Sequence, residues 1–510
     1  MPTFHRISPI SRLAAAALIL SPVAASSDAA PQAARSAITV DTCPPHFPAN
    51  WRCLRVAVPV EYAEPNGPTT DVRVVVAPAQ QPKPQPEAVI LVQGGPGGSG
   101  TAVAGSGFIG SIGALQADHD LVVVDERYVA GPEALVCPPT GPIDEGATWG
   151  EDIFSPAHLK ACLASSAGRA KLETLTTETF ARDIESVRAA LGYDALEFYS
   201  GNYGGRIVQE YMRRFPDRVR AAVLADSGPM GEPVSWSRGR WTMRAVRATL
   251  AACRSDPECH RAFPRIEQEF EALMSRIGKT GLRANIEGGQ GRVVGSLRPS
   301  TVGVDAKGAV VFDRPTVLAF LGAHYHFMRD VASIPFEIHE LASGDAARVA
   351  SVARDIVGFQ RATFGGLALG VWMSVECSEE APAMRDRIAR GERPESEWVP
   401  SILVACRTWP HGEVPSDFHD PVHSRAPVLL LASPMEPSYP GELAPRVAAG
   451  FSHVRIVVDA KHGHVFDDDW QMCLGPQAIA FLDTLDLNAV DPRCAARFQF
   501  RPFKLPKAPG

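Results

Sequence analysis

The chain has 510 residues, 45% of them hydrophobic and 21% charged, with a formal net charge of −7. That length can bury a large core and allows two to four structural units, and the composition is that of a soluble globular protein. So mild an acidic balance gives no case for nucleic-acid binding, and the densest basic stretch, Arg238 to Arg247, is spaced like one solvated helix face.

At the N-terminus, Arg6 and Arg12 precede an apolar run from Leu13 to Leu20, and Val23-Ala24-Ala25 offers a small-residue cleavage site. Residues 1–25 read as a secretory signal; the apolar run is too short to span a bilayer. Residues 26–39 are rich in Ala, Ser and Pro and are expected to be flexible. The mature chain is therefore expected to be exported, to a periplasm or beyond the cell, with no membrane span. Ten cysteines fall in neighbouring pairs: Cys43/Cys53, Cys137/Cys162, Cys253/Cys259, Cys377/Cys406 and Cys473/Cys494. Disulfides suit an oxidising compartment. Sequence does not set their connectivity, but short local loops are the cheapest to close. No CxxC pair exists for zinc.

Val72 to Ala77 reads as a strand, 78–86 as an exposed loop and Ala88 to Val92 as a buried strand. That strand runs into Gln93-Gly94-Gly95-Pro96-Gly97-Gly98-Ser99-Gly100, which lacks the spacing and Lys of a phosphate loop. Its glycines would let backbone N–H groups approach a ligand, as an oxyanion hole requires. Leu121 to Asp125 is the next strand, and Thr177 to Gly192 a Thr-capped helix. From Ala195 the chain reads as strand, Gly-rich turn and helix, with Ile207, Val208, Tyr211 and Met212 at helical spacing. Phe215-Pro216 stops that helix, and Val219 to Leu224 is another buried strand. Such a turn lifts a Ser, Cys or Asp above the sheet as the nucleophile elbow of an α/β-hydrolase. Here Asn202 occupies the apex.

The strand–helix alternation predicts an α/β fold with a mostly parallel, doubly wound sheet. Its first part is assigned to 40–228. Residues 229–415, where the strand rhythm lapses, read as an inserted, mainly helical cap. Within it Trp236 to Cys253, Ile266 to Ile277 and Ala346 to Ala362 look helical, and Gly281 to Val304 irregular. The sheet resumes in 416–510 with strands at Val428 to Leu431 and Val454 to Val458, a helix from Pro476 to Leu485 and a disulfide-bearing end.

A hydrolase of this fold orders its triad as nucleophile, acid, histidine. Glu436 follows one late strand and His464 the next, with His462 as the rival base. QGGPGGSG, TTETFARDIESVRAALG, YSGNYGGR, SVECSEE, CRTWP and the terminal GH together resemble the proline iminopeptidase/tripeptidyl aminopeptidase family of capped α/β-hydrolases. The resemblance implies Glu436 and His464 as acid and base, and the N–H groups of Gly95 and Tyr203 as the oxyanion hole. It also implies acidic cap residues, Glu379 and Glu380, holding the free α-amino group of a short peptide, cleaved without a cofactor.

Two positions depart from the family. Asn202 replaces the nucleophilic Ser, and Asp125-Glu126-Arg127-Tyr128-Val129 replaces a Gly-rich turn after Asp-Gln-Arg. Ser200 lies two residues early, on the strand, and Ser99 and Ser227 lie elsewhere in the sequence. An amide cannot replace an activated hydroxyl in acyl-enzyme chemistry. The retained Glu436, His464 and Gly-rich loop favour an aminopeptidase-like hydrolase working without the standard serine mechanism. The alternative is a pseudoenzyme that binds a peptide or acyl ligand without turnover.

Overall fold

The computed structural model describes residues 36–81, 85–106, 109–137, 154–166, 170–285, 303–304, 310–326, 331–364, 367–458, 473–494 and 502–506. The expected signal segment 1–25, His462 and His464 lie outside them. The strands are β1 (Ile38–Asp41), β2 (Arg52–Pro59), β3 (Thr69–Ala77), β4 (Ala88–Val92), β5 (Asp120–Val124), β6 (Leu196–Gly201) and β7 (Val219–Ala225). A long insertion carries the short β8 (Leu282–Ala284), β9 (Gly303–Val304) and β10 (Val310–Phe312) before β11 (Val428–Ala432) and β12 (Val454–Val458).

Nine strands form one sheet in the order β1-β2-β3-β5-β4-β6-β7-β11-β12. The β1-β2-β3-β5 side is antiparallel, and the ladders from β5 to β12 are parallel. The central strands are continuous apolar runs because both faces are covered. Along β3, Val72, Val74 and Val76 enter one core while Val75 and Ala77 enter the other. Helices Thr177–Leu191 and Gly204–Arg214 cover the first face, and Leu474–Thr484 covers the second. Thr176 caps the first of these by accepting from the Thr179 N–H, and Gly192 closes it at φ 85.

The sequence reading did not foresee β1 and β2. Their charged residues break the apolar signal, and Ile38 and Thr39, expected to be flexible, pair with Val56 and Arg55. The insertion also differs from expectation in containing sheet. β10 pairs with both β8 and β9, antiparallel, in the region read as irregular or unassigned. Around it, helices Val234–Ser255, Ile266–Thr280, Arg314–His326, Ile334–Ala342 and Ala346–Phe364 bury a separate core that includes Leu250, Phe270, Phe320 and Ile338. The later helices, Leu369–Val375 and Val399–Ala405, pack instead on the core of the large sheet.

All ten cysteines pair with their sequence neighbours, and each bridge ties down a nearby element. Cys43–Cys53, 10 residues apart, joins the segment after β1 to the start of β2. Cys137–Cys162, 25 apart, holds the segment beyond β5 to helix Pro156–Ser166. Cys253–Cys259, only 6 apart, clamps the end of helix Val234–Ser255 to the short helix Pro257–Ala262 that follows it. Cys377–Cys406, 29 apart, fixes the start of an acidic turn to the end of helix Val399–Ala405. Cys473–Cys494, 21 apart, anchors the start of helix Leu474–Thr484. Their role is structural: with Cys53, Cys162, Cys259 and Cys494 each bonded to the preceding cysteine, none of the ten offers a thiol for chemistry.

Close packing sets the turn after β6. A Cβ on Gly204 would lie 2.5 Å from the Val92 carbonyl oxygen, backbone that has nowhere to move. One on Gly205 would lie 1.5 Å from Ser227 Oγ. Gly204→Ala is therefore expected to lower the free energy of unfolding by about 1–3 kcal/mol. Gly110→Ala, with nothing within 4 Å of the added carbon, should change it by less than about 0.5 kcal/mol. Equal urea midpoints for the two variants would refute the packing argument.

Candidate active site

Asn202 sits between β6 and helix Gly204–Arg214 with φ 55, in the left-handed region. Its N–H donates to the Ala225 carbonyl at 2.9 Å, and its carbonyl accepts from the Gly205 N–H at 3.1 Å. Asn is among the few side chains that tolerate this backbone. The residue is 6% exposed, and its Nδ2 has no hydrogen-bond partner among the described residues.

Two of the other hydroxyls near the turn have structural work. Ser200 is buried on β6 and donates to the Val223 carbonyl at 3.0 Å. Ser99 caps a short helix by accepting from the Ala102 N–H and donates to Asp125 Oδ2 at 3.0 Å. Ser227 is packed against Gly205, and its buried Oγ has no hydrogen-bond partner among the described residues. Every thiol is in a disulfide.

Beside the apex, the backbone N–H groups of Gly95 and Tyr203 find no partner among the described residues. Gly95 is exposed and Tyr203 is buried. The loop around Gly95 is pinned at Gly97, whose N–H donates to Glu126 Oε2 at 3.1 Å and whose carbonyl accepts from the Ala368 N–H at 2.9 Å. The Tyr203 hydroxyl lies 2.7 Å from Thr177 Oγ1. Tyr128, in the segment that departs from a Gly-rich turn, takes φ 63. A bulky side chain is strained in that backbone, where Gly is not.

Glu436 follows β11 and is fully buried, with Oε1 accepting from the Ser438 N–H at 2.6 Å. Asp226, at φ 45, accepts from the Ser433 N–H at 3.0 Å and so ties the end of β7 to the Glu436 loop.

Opposite the elbow, residues Glu376–Glu380 form one turn of π-helix between helices Leu369–Val375 and Ala381–Ala389. Such turns widen a helix locally and recur at functional sites. Both Glu379 oxygens are taken by Thr177, from its N–H at 2.6 Å and its Oγ1 at 2.8 Å. Glu380 pairs with Arg206, and its second oxygen accepts from the Ser235 N–H at 3.4 Å. Arg206, 2% exposed, also donates to the Met230 carbonyl at 3.1 Å.

The two carboxylates to which the sequence points are thus already engaged by the protein. Glu376 is different. It is 3% exposed, and its Oε1 has no partner among the described residues. Burial, reinforced by Glu380, pushes its carboxyl well above the usual range. Sequence reasoning passed over Glu376 although it shares a helix face with Glu379 and Glu380 at i, i+3, i+4 spacing. Arg238 was also misplaced. Instead of lying on a solvated face it is half-buried, with its guanidinium 5.5 Å from the centre of the Trp398 ring.

Burial raises Glu379 to about 7, against the pull of Arg206 and Thr177. The folded chain therefore keeps this proton up to about pH 7, while the unfolded chain releases it near 4.5. The fold binds more protons across that window, so this group lowers stability as pH rises through it, by on the order of 3 kcal/mol in total. Glu379→Gln, which cannot ionise, is expected to show a smaller fall in thermal midpoint between pH 5 and 8. An undiminished fall would rule Glu379 out as its source.

Residues 87–246 match the family described as alpha/beta hydrolase fold, and residues 395–494 match that described as TAP-like protein. The chain is 30% identical over 200 residues to Serine protease Hip1 of Mycobacterium tuberculosis. That stretch is 37% of this chain and 38% of the relative, so the match spans well under half the relative's length. Tripeptidyl aminopeptidase of Streptomyces coelicolor is 25% identical over 525 residues, covering 93% of this chain and 89% of the relative. Among solved structures, proline iminopeptidase of Mycobacterium smegmatis covers 85% of this chain and 99% of its own at 14% identity and a TM-score of 0.39, too distant to bear on function. With its mostly parallel nine-stranded sheet and elbow turn, the chain has the alpha/beta-hydrolase fold with a TAP-like segment towards its C-terminus.

Proposed function

We propose that this is an exported, aminopeptidase-like hydrolase that holds short peptides with a free N-terminus at the elbow and cleaves them without an acyl-enzyme. The observation that carries the reading is a pair of unpartnered backbone N–H groups, of Gly95 and Tyr203, beside an apex with no hydroxyl or thiol. Donors aimed at a developing oxyanion are the largest single contribution in acyl transfer, and they act equally on a water-derived tetrahedral intermediate.

In this reading His464 takes a proton from a water, and the resulting hydroxide attacks the carbonyl carbon of the peptide. The N–H groups of Gly95 and Tyr203 hold the oxyanion, and the amine leaves with the proton returned from His464. Glu436 orients His464 and offsets its charge. Asn202 donates from Nδ2 to the water or the peptide, which gives the buried amide the partner it lacks. Glu376 takes the role of anchor for the α-amino group, since Glu379 and Glu380 are engaged by Thr177 and Arg206. Export is supported by the five disulfides and by the signal-like N-terminus. The amide in place of a hydroxyl at the apex also favours a second reading, peptide binding without turnover.

Hydrolysis of aminoacyl-, dipeptidyl- and tripeptidyl-anilides by the mature protein, Asn202→Ser and His464→Ala separates the two. The expected result is slow wild-type turnover with no acyl-enzyme burst, loss of that turnover in His464→Ala, and a gain of at least about a thousand-fold in Asn202→Ser. The gain has room to be larger, since removing a triad Ser costs about a million-fold. A wild type that is inert while Asn202→Ser is active would replace the hydrolase reading with the binding one.

A further inference from the structure

Arg238 lies in the second turn of the cap helix Val234–Ser255. The other cations of that helix have partners. Arg240 pairs with Glu395 at 2.9 Å, Arg247 with Glu271 at 2.8 Å, and Arg244 with Glu442. Arg238 makes no hydrogen bond or ion pair with any described residue, although the charged and polar groups facing it are Glu436, Tyr439 and Glu376. Burial holds its guanidinium below the ordinary value, against the attraction of those three groups.

A cation taken partly out of water without a hydrogen-bonded partner is costly, and no described side chain supplies the partner. Its stacking on Trp398 settles what it offers. A guanidinium lying over an aromatic face keeps its edge free, and that edge presents parallel N–H donors matched to the two oxygens of a carboxylate. Glu376 carries the complementary vacancy, a buried Oε1 with no described partner. The two residues attract each other through space without touching. A ligand bearing both signs satisfies both.

We propose that Arg238 is a carboxylate-binding subsite of the candidate active site, and that the ligands are short zwitterionic peptides whose carboxylate meets Arg238. This rests on the peptide-site reading above and narrows it to a substrate class. The carboxylate is either the C-terminal one or that of an acidic side chain, and the chemistry at Arg238 is the same.

Isothermal titration of the mature protein with Ala-Ala-Ala, its C-terminal amide and Ala-Glu-Ala-amide tests this. Wild type is expected to bind the free acid at least tenfold more tightly than the amide. Recovery of that tenfold by Ala-Glu-Ala-amide identifies a side-chain carboxylate as sufficient, and failure to recover it assigns the C-terminal one. In Arg238→Gln the acid and amide should converge, and Arg238→Lys should restore part of the difference, with circular dichroism confirming that both variants are folded. Equal wild-type affinity for acid and amide overturns the Arg238 subsite while leaving the peptide site standing. Absence of binding by every peptide to the folded wild type overturns the peptide reading itself, and the subsite with it.

Discussion

Three carboxylates on a single turn, Glu376, Glu379 and Glu380, are buried against the guanidinium of Arg206, and this cluster joins the cap to the elbow. Arg206 follows Gly204 and Gly205 directly, so the ion pair that anchors it also sets where the elbow helix begins. Glu379 reaches the other way and binds the first N–H of helix Thr177–Leu191, whose Thr177 hydroxyl meets Tyr203. One acidic turn thus touches both structures that shape the site. Buried pairs of this kind contribute little net stability, but losing one partner strands the other. Their effect is to make the position of the cap and that of the elbow a single condition.

Within that frame the apex residue fits its turn. Asn202 keeps the positive φ, the two backbone hydrogen bonds and the burial of the elbow. Its side chain is an amide, which is not a nucleophile for acyl-enzyme chemistry. Close packing around the turn leaves no room for a Cβ on Gly204 or Gly205, which would meet the Val92 carbonyl and Ser227.

The cap is built in two parts with different attachments. Its earlier helices, from Val234 to Phe364, with the small sheet β8-β10-β9, have a hydrophobic core of their own. The later part, from Leu369 to Ala405, shares the core of the large sheet and carries the acidic turn. Arg238 belongs to the first part and Glu376 to the second. These two groups therefore come from segments with separate cores, and Arg238 lies over the Trp398 ring of the second segment.

Much of this was legible in the linear chain. The apolar runs of β3 to β7, β11 and β12, the Gly-rich turns and the Thr-capped helix carry short-range signals that sequence periodicity reports. The neighbour-to-neighbour disulfides agreed with the cheapest loops to close. What the sequence could not convey was which charged residues are buried. Arg238 and Arg240 look alike in a basic stretch, yet one stacks on Trp398, far along the chain, and the other pairs with Glu395 at the surface. Glu379 and Glu380 meet Thr177 and Arg206, while Glu376 has an oxygen with no hydrogen-bond partner among the described residues. The local pattern determined the fold and the position of the elbow turn, because those depend on neighbours in sequence. Tertiary packing decided which charges remain unmatched, because burial and pairing depend on residues far apart in the chain.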